Sequence, residues 1–549
     1  MFKLKNIFYI GALMLATVSC DDYLDNPPAD LMGTDGFYQT AAQSEQGIIG
    51  IYAGLRQLTN YEYLYMSECR SDNAWVNPTT DGARDYSEIG TFRATNGIAT
   101  FNDAWNTWYK VIYDANMALS KIPNATFNDE TVRLQFLNEA HFLRGWAYFE
   151  LARLFGNIPM ITAPLSSAEV KTVGQSPALD IINQVVIPDL KEALNLPLSE
   201  KLVDANGKAI SLAKGRAHKM AANAMLARVY MTLAGYPFNE VSAKTEAKKY
   251  LTEVLSYAKN NNKYWAADIN EWRKQWMPSE EYYNKYSIFA IQYRAGGTGN
   301  PSLFNFGPQL PASLTGRKIF GNQIYVEKSL MYEFEKTFAD GNKDLRGDDY
   351  SILLGFQGEG SIQTYTNDKE SVTVDGITKD VYSKTIIYKF MPSKPKIASL
   401  GLSLTPEASM IDDNDWPVNF PILRLEDMQL MYAELLIEEG KIAEAMGYVN
   451  DIRQRAGCDA VPANVSAGEA LNYIKRERRI ELLGEGIRWF DQVRYGTWKT
   501  DTENMLDRYN NPTGTSKSYI KEGRYLYPIP LNQLNVTPGL YKQNEGYIE

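Results

Sequence analysis

The residues of this chain whose spacing most resembles chemistry are the arginines and acids packed into "RERRIELLGEGIRWFDQVRYGTW", Arg476 to Trp498. Five arginines (Arg476, Arg478, Arg479, Arg488, Arg494) alternate there with four acids (Glu477, Glu481, Glu485, Asp491). Gripping a polyanion needs positive charge free to displace counterions. This run is nearly neutral, in a chain of formal net charge -10, so nucleic acid is excluded as a partner. Arg478, Glu481, Glu485 and Arg488 recur at i, i+3, i+7 and i+10, with Ile480, Leu483, Ile487 and Phe490 about half a turn away. On one helix that spacing makes a charged, self-paired stripe beside an apolar one. The run reads as a packed helix with an arginine–glutamate ladder, structural rather than ligand-binding.

Catalytic chemistry finds little material. The two histidines, His141 and His218, lie far apart inside helical patterns, which leaves a zinc site or a Ser-His-Asp triad almost nothing to draw on. Acid pairs abound, but catalytic carboxylates are defined by their separation across a cleft, which sequence spacing does not supply. "DGNKDLRGDD" sets Asp340, Asn342 and Asp344 at calcium-loop spacing. Leu345 stands where that loop needs glycine and Ser351 where it needs glutamate, so the stretch reads as a loop or cap. No cofactor is assigned, and a bound calcium elsewhere stays open. Rings with a polar edge are plentiful: 36 Tyr and 10 Trp against 21 Phe, a mix suited to surfaces both flat and wet.

The elements that must position these residues begin after residue 20. "MFKLKNIFYIGALMLATVSC" carries Lys3 and Lys5, an apolar core from Ile7 to Ala16, and small residues up to Cys20. That is a secretory signal, too short to span a bilayer. A cysteine directly after "TVS" reads as a bacterial lipobox, with residues 1–19 removed and Cys20 diacylated as the new first residue. Thr17 stands where leucine is usual, and plain secretion with an unmodified Cys20 is the alternative. Cys69 and Cys458 make no disulfide framework and are expected as free buried thiols.

From about 44 to 255 the chain is largely helical. "EAHFLRGWAYFELARLFGNIP" puts Phe142, Trp146 and Phe149 on one face beside Leu143, Ala147, Leu151 and Leu154, and stops at Gly156 and Pro159. In "AHKMAANAMLARVYMTLAGY", Ala217, Ala221 and Ala224 permit close backbone approach, and Leu226-Ala227-x-x-Tyr230 fits a tetratricopeptide helix. "MYAELLIEEGKIAEAMGYVNDIRQRAG" repeats the idea through Ala433, Gly440, Ala445, Val449 and Ile452, within a second helical span of about 421–498. Between 260 and 420 the periodicity fades. "YSIFAIQY" and "SKTIIYKF" read as short strands, and "SVTVDGITKDV" as a hairpin turning at Asp375-Gly376. The expected fold is mostly α: tetratricopeptide-like helix pairs forming a scaffold, with a loop-rich insertion of short strands and hairpins. Loops on rigid scaffolds are where binding is usually carried.

These segments, in order, resemble the SusD/RagB family of outer-membrane nutrient-binding lipoproteins. The likeness is carried by "CDDYLDNPP", "ECRSDNAW", "WNTWYKVIYDANMAL", the two helices quoted above, "PILRLEDMQLMYAELL", "VNDIRQRAG", "RERRIELLGEGIRWFDQVRYG", "YLYPIP" and the terminal "YKQNEGY". The resemblance implies a single domain over 20–549, in which the arginine–glutamate stretch is framework. It also implies an outer-membrane location facing the cell exterior, and a SusC-like TonB-dependent barrel as partner. The lipoprotein would sit on the barrel as a lid, capturing an oligosaccharide and delivering it. Peptide capture by the same fold and a surface glycoside hydrolase stay open as alternatives.

A sugar site needs aromatic platforms beside planar polar groups. Asp72, Asn73, Trp75, Arg84 and Tyr86 fall in one irregular segment; Phe304, Phe306 and Arg317 fall in a glycine- and proline-broken one; Trp416 stands beside "DDND". These nine are the candidate ligand contacts. Trp75 has a core reading as well, and Trp272 and Trp276, four apart, are expected to pack.

Overall fold

The computed structural model describes residues 36–547 except 77–84, 212–214, 280, 282–283, 302–311, 317–323, 337–343, 348–350, 355–368, 375, 383–384, 510–516 and 537. The signal segment, Cys20, Arg84, Phe304, Phe306 and Arg317 lie outside the described residues.

Helices Ala41–Gly54, Ala99–Lys121 and Glu130–Phe155 pack on one another. The last has no solvent face over most of its length: Phe142, Trp146, Phe149, Leu143, Ala147, Leu151 and Leu154 are all fully buried. It therefore serves neighbours on two sides. It ends at Gly156, whose φ of 71° suits a residue without Cβ, and a side chain there would run into Leu526.

Helix Lys219–Ala234 packs along Ala243–Asn261, and Leu425–Glu438 along Ile442–Arg455. The buried alanines Ala217, Ala221 and Ala224 lie where close approach was expected. Ala243–Asn261 also packs on Leu425–Glu438, so two helix pairs separated by more than the whole insertion stack side by side. The architecture is mostly helical, as the periodicity required.

The insertion is closed at its base. Strand Ser287–Ile291 pairs antiparallel with Phe420–Arg424, Ile291 opposite Phe420. The hairpin Lys369–Val374/Ile377–Tyr382 forms where expected, Val374 opposite Ile377 and Gly376 at φ 77°, and Ile386–Ile387 pairs with Leu353–Leu354. One apolar core draws side chains from Tyr38 to Ile529; a second lies among Leu430, Val449 and Ile474; a third joins Trp75, Phe92, Trp489 and Trp498. Cys69 and Cys458 are free and buried. Among the described residues no helix is long and apolar enough to cross a membrane.

The arginine-rich run departs from expectation. It is two helices, Ala467–Glu481 and Arg488–Arg494, with Gly484 and Gly486 at positive φ between them. The ladder along a single helix is therefore replaced by pairs to distant segments for Glu477, Glu481 and Glu485, while Asp491 holds Arg478 and Arg494 of the run itself. Each acid there is deeply buried, and a buried charge needs more partners than one neighbour on its own helix can provide.

Candidate ligand-binding face

The arginine framework and the first candidate segment are physically joined. Asp72 is buried, and Arg488 holds both its carboxylate oxygens, Nε to Oδ1 at 2.7 Å and Nη2 to Oδ2 at 3.0 Å. Arg479 adds an ion pair at 3.3 Å and a bond to the Asp72 carbonyl. Burial opposes the charge, but the two guanidinium groups override it and hold the carboxyl well below its ordinary range. Asn73 has both ends of its amide engaged: it accepts from Arg479 Nε at 3.1 Å and donates to Glu68 at 3.0 Å.

These anchors lead into strand Ala74–Val76, which pairs antiparallel with Ile324–Val326, Val76 opposite Ile324. Val76 borders segment 77–84, which carries Arg84; Ile324 borders 317–323, which carries Arg317. The register thus fastens both segments at one end of one ribbon. Trp75, opposite Tyr325, stacks on Tyr509 with ring centroids 3.7 Å apart and planes 5° from parallel. Tyr509 borders segment 510–516, so three segments leave from this one aromatic cluster.

A second stem is built around Asp415. Its carboxylate accepts backbone N–H bonds from Ile411 (2.9 Å), Gly296 (2.7 Å), Gly297 (2.9 Å) and Gly299 (2.7 Å). Burial works against this carboxylate, yet the four N–H groups lower its pKa. A Cβ at Gly299 would lie 2.0 Å from the Asp415 backbone, so only glycine permits the approach. Asn300 N–H donates to the Trp416 carbonyl at 2.7 Å, just ahead of the segment holding Phe304 and Phe306.

The structure corrects the role of several candidates. Asp72, Asn73, Trp75, Tyr86 and Trp416 are all buried. The first two are consumed by ion pairs and hydrogen bonds. Tyr86 packs near Tyr65, and the Trp416 indole donates to the Asp413 carbonyl. They anchor stems instead of presenting platforms, because Arg479 and Arg488 reach Asp72 and Asn73 from distant helices and pair with them inside the fold. Trp272 and Trp276 pack edge to face in the core, as expected. His218 is buried beneath a bond to the Ile288 carbonyl, burial pushing its pKa down to about 4, and His141 contacts Asp189 at 2.7 Å. Asp344 is taken by Arg346 on both oxygens, at 3.0 and 2.9 Å, and among the described residues no cluster suits a metal ion.

Nine of the ten tryptophans are buried; Trp265, half-buried, is the exception. Sequence reasoning passed over it. It stands in the short link between the left-handed helix cap at Asn262 and the next N-cap at Asp268, between the buried Tyr264 and Ala266, and no local signal set it apart.

A pH prediction follows from Asp415. Its folded pKa lies below the unfolded value, so its contribution is present above pH about 4 and is lost as pH falls through the folded value. Asp415→Ala leaves several N–H groups without their acceptor and is expected to cost about 2 kcal/mol. Protease cleavage between 294 and 300 should rise in the variant at neutral pH and in the native protein only under acid. Equal cleavage of the two at pH 7 would remove Asp415 as the anchor.

Buried charge anchors fasten two stems to a helical scaffold, the kind of frame on which loop-borne binding sites are usually carried. Residues 329–547 match the SusD family model, and residues 22–231 match a second model described as starch-binding associating with outer membrane. The chain belongs to the SusD family. It is similar to SusD-like protein P25 of Formosa agariphila, at 24% identity over 99% of this chain and 100% of that one. Among solved structures, a SusD homolog from Bacteroides thetaiotaomicron aligns with TM-score 0.71 and 21% identity over 93% of this chain and 98% of that one. A laminarin-binding SusD-like protein aligns with TM-score 0.67 and 23% identity over 93% and 100%.

Proposed function

We propose that this protein is a cell-surface glycan-binding lipoprotein, anchored through Cys20, that captures oligosaccharides without cleaving them and delivers them to a SusC-like TonB-dependent barrel. The pairing of Val76 with Ile324 carries this reading. It joins the stems of two segments rich in the groups that recognise sugars, on a scaffold whose buried ion pairs hold those stems still. A preorganised stem lowers the ordering cost of binding. The laminarin-binding relative supports a carbohydrate ligand, and the family description supports the outer membrane. Two acyl chains on Cys20 bury many methylenes at about 0.8 kcal/mol each, enough for stable attachment.

The test uses whole cells and purified protein together. Cells expressing the native chain should bind a fluorescent polysaccharide from a broad panel, and the purified protein should be retarded in gels containing it without generating new reducing ends. Cys20→Ala should abolish cell-surface binding while leaving gel retardation intact. New reducing ends would make it a hydrolase. Retardation by peptides but by no polysaccharide would replace the ligand class, and a Cys20→Ala protein still held at the membrane without its barrel would dispose of the anchor.

A further inference from the structure

A groove of about 600 Å³ lies between the stacked helix pairs, away from the two stems. One wall is the stripe Leu255, Ala258, Lys259, Asn262 along Ala243–Asn261; the facing wall is Glu444, Gly447, Tyr448, Asp451 along Ile442–Arg455. Both follow i, i+3, i+4, i+7, the spacing of one helix face. Leu425 and Gln429 form the floor, and Trp265 borders one end.

Three features of this groove bear on a ligand. Trp265, the one tryptophan not buried, borders it, while the Arg455 guanidinium lies 4.7 Å from the ring centroid and braces it. Gln429 is only 8% exposed, yet its Oε1 has no hydrogen-bond partner. A buried acceptor left unpaired is costly, and a ligand donor would relieve that cost. Gly447 sits inside a helix, where glycine is less favourable than alanine. A Cβ there would meet nothing within 4 Å. Packing does not require this glycine, and its effect is to keep the groove open.

We propose that this groove is a second saccharide subsite, carried by the helical scaffold and separate from the loop face. It takes a neutral sugar unit, the C–H face of the ring against Trp265, hydroxyls donating to Gln429 Oε1 and the Asp451 carboxylate, and Lys263 donating to sugar oxygens. A neutral ligand suits the lining: Lys259 and Lys263 offset Glu444 and Asp451, so the groove offers no net charge to draw an ion. Asp451 is exposed, and partial desolvation raises its carboxyl pKa. The inference takes its ligand class from the glycan-capture reading, and its position from the groove alone.

Because the other nine tryptophans are buried, acrylamide quenching of the intrinsic fluorescence reads mainly Trp265, and Trp265→Phe checks that assignment. The probes are maltose, cellobiose, laminaribiose, xylobiose and mannobiose, with glycine-rich tetrapeptides alongside. At least one disaccharide should shield Trp265 in the native protein. Gly447→Leu, which fills open space on a helix and improves its propensity, should abolish that shielding, and Gln429→Met should weaken it roughly tenfold by removing the acceptor. Absence of shielding by every disaccharide overturns the proposal. So does shielding that survives Gly447→Leu, or shielding by peptides alone. Polysaccharide retardation with an unshielded Trp265 overturns the subsite and leaves the glycan-capture reading standing; loss of retardation with Trp265 still shielded does the reverse.

Discussion

Glu481→Ala is expected to destabilise the protein by about 3–5 kcal/mol, as removal of one partner from a buried ion pair does. Three guanidinium groups and an indole converge on this fully buried carboxylate. Arg455 donates to it at 2.7 Å, Arg346 at 3.0 Å, Arg424 at 3.1 Å and Trp272 Nε1 at 2.9 Å. The partners are themselves shared. Arg346 also grips Asp344 and Glu477, and Arg424 holds both oxygens of Glu485 at 2.8 Å. Removing Glu481 leaves positive charge in a space with no water to receive it. Burial disfavours the Glu481 anion, but Arg455, Arg424 and Arg346 outweigh burial and pull its pKa far down. With a depressed folded pKa, its stabilisation is complete above the unfolded value of about 4.3 and declines as pH falls toward the folded value. Chemical denaturation of the native protein and Glu481→Gln, which retains an acceptor for Trp272, should place the glutamine variant between native and alanine. Its folded fraction should keep full affinity for the cognate glycan. A variant as stable as the native protein but with weakened binding would move this lattice from the framework to the site.

Trp75→Ala is the second large effect, again about 3–5 kcal/mol of stability. Only 9% of the residue is exposed, its ring stacks on Tyr509, and it belongs to the core formed with Phe92, Trp489 and Trp498. Truncation opens a cavity beneath the point where three segments are fastened. Thermal melts run beside calorimetric titration separate this from a ligand role. The expected outcome is a large fall in melting temperature, with affinity of the folded fraction changed far less than the roughly thirtyfold that loss of a 2 kcal/mol hot spot would bring. An unchanged melting temperature with thirtyfold weaker binding would return Trp75 to the ligand face.

The contrast between these residues and Trp265 marks how far the sequence could be read. Trp75 stood in an irregular segment full of polar groups, the usual setting of a platform, yet Asp72 and Asn73 beside it are bound by Arg479 and Arg488, more than 400 positions away. Trp265 stood in an unremarkable link and is the tryptophan left partly exposed. Exposure of one side chain depends on every element packed against it, and the local composition around either tryptophan contained no record of that.

The helices were legible because they are local. Apolar residues on two faces marked Glu130–Phe155 as a helix packed between neighbours, and Gly156 marked its end through backbone conformation. The Asp375-Gly376 hairpin and the strands around Ile288 and Ile386 were legible for the same reason: turn chemistry and alternation act over a few residues. The ordered motifs from "CDDYLDNPP" to "YKQNEGY" pointed to the family on sequence alone. Tertiary structure alone decided the pairing. Glu481 meets Arg424 across 57 positions and Arg346 across 135, and nothing in a charge pattern along one helix distinguishes a ladder on its own surface from a lattice reaching through the core. It also decided the openings. The groove beside Trp265 lies between helices Ala243–Asn261 and Ile442–Arg455, with Gly447 leaving one wall low, and a space between elements has no residue of its own to announce it.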